Sequence, residues 1–145
     1  MKGYIISKNF ISISGEDSIE FLQNIISNDI KKVTNNNSIF AALLTPQGKF
    51  LFEFIILKTK NIYLIECNTE LIKELFKKLY NYKLRSNVEI KIEDNLISID
   101  IPFVKFKNLN INKLNVINYK NYIIFEDPRI KNTLARAIIE KSKIK

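Results

Sequence analysis

The chain has no histidine, no tryptophan and one cysteine, with only three glycines and three prolines in 145 residues. Each scarcity closes off a chemistry. Without histidine there is no Ser-His-Asp triad, no imidazole general base and no histidine-containing zinc site within this chain. Cys67 has no partner for an internal disulfide. It ends an apolar strand running from residue 62, which marks it as a small core residue. No apolar run approaches the roughly 18 residues of a membrane-spanning helix. The opening residues, Met-Lys-Gly-Tyr-Ile-Ile-Ser-Lys, are too short and interrupted for a signal peptide, so the expected location is cytoplasmic.

Arginine is also scarce. There are 3 Arg against 20 Lys, beside 18 Asn and 27 Ile. The formal charge of +8 falls entirely in residues 58–145, which carry 18 basic and 10 acidic groups; residues 1–57 carry five of each. A basic half invites a nucleic-acid reading. Against it, the Lys, Asn and Ile excess follows an AT-rich codon bias, and the guanidinium fork preferred for bases and phosphates is nearly absent. What is present in quantity is apolar: 46% of the residues, enough for one real core.

The clearest feature runs from Ile39 to Leu57. Two apolar runs flank Thr45-Pro46-Gln47-Gly48, with Pro46 presetting φ for the turn and Gly48 closing it. This predicts a buried β-hairpin. Glu53 does not fit a plain core. It lies between Phe52 and Phe54 and is the only charge between Lys49 and Lys58. Such a carboxylate either reaches the rim of the sheet, paired with Lys49, or meets a partner or ligand.

Short strands are predicted at 3–7 and 10–14, then a helix capped by Ser14 or Gly15, with Ile19, Phe21, Leu22, Ile25 and Ile26 on its apolar face. Asn28 and Asp29 follow, either closing the helix through local bonds or touching a ligand beside the sheet. A third strand at 62–67 leads into a second helix, 70–82, with Asn68 and Thr69 as its caps. Val88, Ile90 and Ile92, then Ile97, Ile99 and Ile101, alternate with polar residues around Glu93-Asp94-Asn95, which predicts a hairpin. Residues 108–115 are low in complexity. Another hairpin is expected around residues 119–121, and the tail from Thr133 reads as either helix or strand. The order predicts an α+β fold, with a mainly antiparallel sheet and two helices on one face, in the ferredoxin-like manner. The expected division is 1–107 as the main domain and 108–145 as a partial continuation of the same or a second, incomplete domain.

Four segments together resemble the YgfZ-type folate-binding proteins, relatives of the glycine-cleavage T-protein (aminomethyltransferase). They are Gly15-Glu16-Asp17 through Ser27-Asn28-Asp29; Leu43 through Glu53 around Thr45-Pro46-Gln47-Gly48; Tyr82 through Val88; and Asp127-Pro128-Arg129 followed by Leu134-Ala135-Arg136. The resemblance implies the aminomethyltransferase fold and a tetrahydrofolate-binding protein that supports assembly or repair of iron–sulfur clusters. Its partners would be iron–sulfur proteins, including radical enzymes that modify tRNA. It implies that Glu53 accepts the adjacent N–H donors of a pterin, that Asn28 and Asp29 shape the neighbouring loop, and that Arg85 and Arg129 are candidates for the folate's glutamate tail. It implies no evident catalytic residue.

The family's Lys-Gly-Cys-Tyr-x-Gly-Gln-Glu signature, carried in its later half, is absent here, and Ala135 stands where a glycine is usual. The resemblance is thus to the first half, and a second chain or self-association would complete the ring of domains around the folate. Two other readings stay open: a non-catalytic interaction module or remnant that binds no folate, and a basic nucleic-acid-binding domain. The last requires lysines interleaved with aromatics on one face.

Overall fold

Alternating apolar residues build two five-stranded sheets, and the period of the alternation decides what each face meets. The computed structural model describes residues 4–102, 116–119, 122–131 and 133–144. Its strands are β1 (Tyr4–Ile6), β2 (Lys8–Ser14), β3 (Ile39–Leu44), β4 (Phe50–Thr59), β5 (Ile62–Asn68), β6 (Glu89–Ile92), β7 (Leu96–Pro102), β8 (Val116–Tyr119), β9 (Tyr122–Glu126) and β10 (Leu134–Glu140). The helices are α1 (Ser18–Ile25) and α2 (Ile72–Lys83). One sheet runs β3-β4-β5-β2-β6 and the other β1-β7-β10-β9-β8. Every pairing is antiparallel. The expected boundary near residue 107 and the low-complexity stretch 108–115 lie outside the described residues.

Three layers result. Ile11, Ile13, Ala41, Leu43, Phe54, Ile56 and Ile65 face Phe21 and Leu22 of α1 and Ile72, Leu75 and Leu79 of α2 in one core. The opposite face of the same sheet sends Phe10, Ile55, Leu57 and Leu64 against Phe125 and Ile138 of the second sheet. Each such fully buried side chain contributes about 1.5–3 kcal/mol. The α+β class, the antiparallel pairing and the two helices on one face stand as expected. The sheet is two sheets rather than one.

The reason lies at residues 93–95. The predicted hairpin joining β6 to β7 does not form. β6 pairs with β2, while β7 pairs with β1 and β10 in the other sheet. Glu93 N–H bonds to the Phe10 carbonyl at 2.9 Å, which holds the chain to the first sheet just before it crosses over. Period-2 patterning names a strand but not its partner. Similarly, β1 and β2 adjoin in sequence yet lie in different sheets.

Smaller corrections follow from local chemistry. The helix starts later than expected: Asp17, not Ser14 or Gly15, is the N-cap residue, and its side chain makes no cap bond to the helix. Its carboxylate instead accepts the Asn87 N–H at 2.6 Å. Gly15 adopts φ +121°, and a Cβ there would lie 2.4 Å from the Asn87 carbonyl oxygen, so this turn requires glycine. Ile19 is exposed rather than part of the buried helix face. The second helix is entered through a 3-10 turn over Thr69–Leu71. The 39–57 hairpin forms with the expected turn, Gly48 at φ +83°, yet Phe50 is exposed and burial is complete only from Phe54 to Leu57. Of the two options for the tail, the strand is the one seen, as β10.

Candidate functional site

Glu53 is an odd position of β4, so it shares a face with Ile55 and Leu57, the face turned toward the second sheet. Unlike them it is exposed, because it lies beyond the region the second sheet covers. Among the described residues, no hydrogen bond and no ion pair within 4 Å reaches its carboxylate; the Lys49 pairing is not formed. Its cationic neighbour is Arg129, whose charge it stabilises. The two residues line one small cleft with Phe40, Lys8, Asn68 and Arg136.

Arg129 is held in place from behind. Asp127 accepts Arg129 Nε at 2.9 Å and Nη2 at 2.7 Å, and also the Arg129 backbone N–H at 3.0 Å. The guanidinium lies over the Phe40 ring, 5.5 Å from its centroid, in cation–π range. Arg129 is raised further above its usual value by this pairing. Burial pushes Asp127 upward, but its bonds to Arg129 outweigh that and hold it below the usual carboxylate range.

Behind this pair sits a buried ionic cluster. Arg136, on the inward face of β10, hydrogen-bonds Glu66 through Nη1 and Asp100 through Nε at 2.9 Å, and its Nη2 ion-pairs with Asp127 at 3.3 Å. Ser98 Oγ donates to Glu66 at 2.6 Å. Glu66 belongs to the first sheet, whereas Asp100, Ser98 and Arg136 belong to the second, so the cluster fastens the two sheets together. Burial pushes the Glu66 carboxyl up against the pull of Arg136. Cys67 beside it is buried, and its thiol is pushed up to about 12, chiefly by burial.

The cleft beside Glu53 has a volume of about 20 Å³, room for about one water. A flat ligand therefore does not enter it. Next to it, sharing Phe40, is a depression of about 260 Å³ lined by Asn28, Ser38, Ile39, Pro128 and Lys131 among others. Asn28 donates through Nδ2 to the Phe40 carbonyl at 3.0 Å and accepts the Asp29 N–H at 2.8 Å. Asp29 caps the 3-10 turn at Ile30–Lys32 by accepting Lys31 N–H at 2.9 Å. Both thus serve the local turn, with Asn28 also forming a wall of the depression. Arg85 is elsewhere, in a groove between the helix ends with Asp17, Glu20 and Leu84. The structure brings Glu53, Arg129 and Asn28 around Phe40 and leaves Arg85 apart.

A pterin fits the donor set at this rim. Glu53 offers two acceptor oxygens that no described residue donates to, Phe40 carries the Arg129 guanidinium over its ring, and Arg129 keeps Nη1 free of bonds to described residues. Glu66 and Asp100 are not singled out by the sequence, and Asp127 and Arg136 enter only as parts of the fourth resembling segment, not as site residues. A signal existed: Glu66 between Ile65 and Cys67, and Arg136 between Ala135 and Ala137, are mid-strand charges like Glu53. Among the described residues, no group of three His, Cys, Asp or Glu suits a metal ion, and no helix is long and apolar enough to cross a membrane.

No protein-family profile matches the chain. An "Iron-sulfur cluster assembly factor IBA57 homolog, mitochondrial" of Neurospora crassa is 34% identical over 97 residues, 62% of this chain and 22% of the relative. An "Aminomethyltransferase" of Caldanaerobacter subterraneus is 27% identical over 101 residues, 68% of this chain and 27% of the relative. The crystal structure of glycine cleavage system aminomethyltransferase T from Bartonella henselae superposes with a TM-score of 0.77 over 95% of this chain and 41% of that one, at 13% identity. Over the matched part, these likenesses support an aminomethyltransferase-like and YgfZ-type superfamily assignment. It shares the fold of the T-protein across nearly all its length, while the sequence matches span about a quarter of the curated relatives.

The superfamily segments also make sense of each other in space. Gly15 and Asp17 pack on Asn87, joining the first and third; Glu53 and Arg129 share a cleft, joining the second and fourth.

Proposed function

We propose that this chain binds a reduced folate across the rim formed by Glu53, Phe40 and Arg129, and serves iron–sulfur cluster assembly or repair. The single observation carrying the folate reading is Glu53: an exposed mid-strand carboxylate, free of donors among the described residues, beside a fixed guanidinium. Its two oxygens would accept the paired N–H groups of a pterin, and the Arg129 guanidinium, seated on Phe40, would lie beside the ring. Asn28 would border the ring from the adjoining depression. The cluster role is supported by the printed name of the Neurospora crassa relative, and the folate by the aminomethyltransferase likeness. Partners in this reading are iron–sulfur proteins, with a second chain or second copy enclosing the ligand. Folate would be bound without an evident catalytic group in this chain.

The shallow rim sets an expectation of modest affinity, because well-enclosed ligand sites usually run to about 300–1,000 Å³. Titration of tetrahydrofolate under argon, followed calorimetrically, tests the reading. Saturable binding that weakens at least ten-fold in Glu53→Gln supports it; no heat at millimolar ligand, or equal binding by the variant, overturns it.

A further inference from the structure

Arg136 and Asp127 have no role in the folate reading, yet they are buried and charge-paired beside its site. All three guanidinium nitrogens of Arg136 are paired with carboxylates, Glu66 on β5, Asp100 on β7 and Asp127 in the turn after β9. Asp127 is fully buried and stands between Arg136 and Arg129. It occupies Nε and Nη2 of Arg129, which fixes the plane of that guanidinium and leaves Nη1 as its free edge. An arginine held by a bidentate carboxylate loses little further freedom when it meets a ligand.

We propose that Asp127 is the positioning residue of this site: with Arg136 behind it, it holds Arg129 over Phe40 so that the Nη1 edge is preset for an oxygen acceptor on a ligand held by Glu53. The assignment rests on the folate reading for the ligand, but the positioning itself is a property of the free protein. The ligand oxygen concerned is a carbonyl or carboxylate, since a guanidinium only donates. Asp127 touches no ligand. Its effect passes through Arg129 alone.

The cluster can accept the substitution that tests this. Glu66, Asp100 and Asp127 against Arg129 and Arg136 sum to a formal charge of −1, so Asp127→Asn brings the cluster to neutrality rather than away from it. Three variants of the full chain are compared: Asp127→Asn, Arg129→Ala and the double variant. Each is titrated with tetrahydrofolate and examined by 15N NMR at the arginine Nε–H. In the wild type the Arg129 Nε–H should be a sharp, slowly exchanging resonance, lost in Asp127→Asn while a well-dispersed amide spectrum remains. Each single variant should bind on the order of ten-fold more weakly, the scale of one charge-assisted contact. The double variant should bind no more weakly than Arg129→Ala.

Equal losses from Asp127→Asn with and without Arg129 would mean a merely structural role and would overturn the proposal. So would a fast-exchanging Arg129 Nε–H in the wild type, whatever the folate result. If the resonance is protected but the wild type takes up no tetrahydrofolate, the folate reading fails and the ligand half of the proposal fails with it. Should Asp127→Asn fail to fold, Asp127→Glu serves: a displaced carboxylate should lower affinity only when Arg129 is present.

Discussion

Replacing Arg136 by methionine should be the most destabilising single change at the seam between the sheets. Methionine keeps most of the side-chain volume, so the loss is electrostatic rather than a cavity. Three carboxylates lose a partner, but unequally. Asp127 retains Arg129, and the Asp100 side chain is 23% exposed and reaches water. Glu66 is left with the Ser98 hydroxyl and the more distant charge of Lys8 while 2% exposed. Removing one partner of such a buried pair costs about 3–5 kcal/mol, a large part of the roughly 5–15 kcal/mol that holds a domain together. At about 3 °C per kcal/mol, the melting temperature should fall by about 10 °C or more. The pH dependence identifies the residue responsible. Burial holds the folded-state value of Glu66 above its unfolded value, so the protonated form favours the fold; the penalty is small at low pH and grows as pH rises through the folded value. Urea titrations at pH 5 and pH 7.5 should therefore show the larger loss at pH 7.5. Adding Glu66→Gln to Arg136→Met should recover more than half of it, because a buried pair replaced as a pair is close to neutral. A loss under about 1 kcal/mol, or a double variant as unstable as the single, would refute the assignment of Glu66 and Arg136 as a mutually dependent pair.

Other outcomes follow from single observations. Gly15→Ala places a Cβ against the Asn87 carbonyl at positive φ and should cost at least about 2 kcal/mol in urea unfolding, whereas Gly48→Ala, with open space around its Cβ, should cost only about 1. Cys67, with its thiol pushed up to about 12 and buried, should resist iodoacetamide at pH 8 in the folded protein and react fully in 6 M guanidinium. Asp127 has a depressed value, so its contribution is present above the unfolded carboxylate range and is lost as pH falls through the folded one. The acid limb of thermal stability should flatten in Asp127→Asn.

The local elements were largely legible because they are written in short-range patterns. The turn at Thr45–Gly48 needs only Pro46 and Gly48. The spacing of Leu71, Leu75 and Leu79, with Ile72 and Phe76 beside them, predicts the α2 stripe, of which Ile72, Leu75 and Leu79 are buried while Leu71 falls in the 3-10 turn. The division into two sheets was not legible. Strands β6 and β7 each alternate cleanly, and nothing in that alternation says that the chain crosses between sheets at Glu93 instead of turning back. The alternation of β7 even points the other way from the usual reading. Its polar Ser98 and Asp100 face the interior, because Glu66 and Arg136 wait there. For the same reason Glu53 stood out in sequence while Glu66 did not, although both are acids within apolar strands. Only the sheet-on-sheet packing distinguishes them: Glu66 is covered and satisfied, and Glu53 lies past the edge of that cover with no donor among the described residues. The four superfamily segments were legible as a set, and their pairing through Asn87 and Arg129 became visible only in three dimensions.

The most direct measurement is tetrahydrofolate binding by the full chain, wild type against Glu53→Gln, by calorimetry at matched stability. Saturable binding by the wild type, with a loss of ten-fold or more in the variant and an unchanged melting temperature without ligand, is the predicted result. Absence of binding by the wild type, or identical isotherms for the two proteins, would contradict the assignment of Glu53 as the pterin contact.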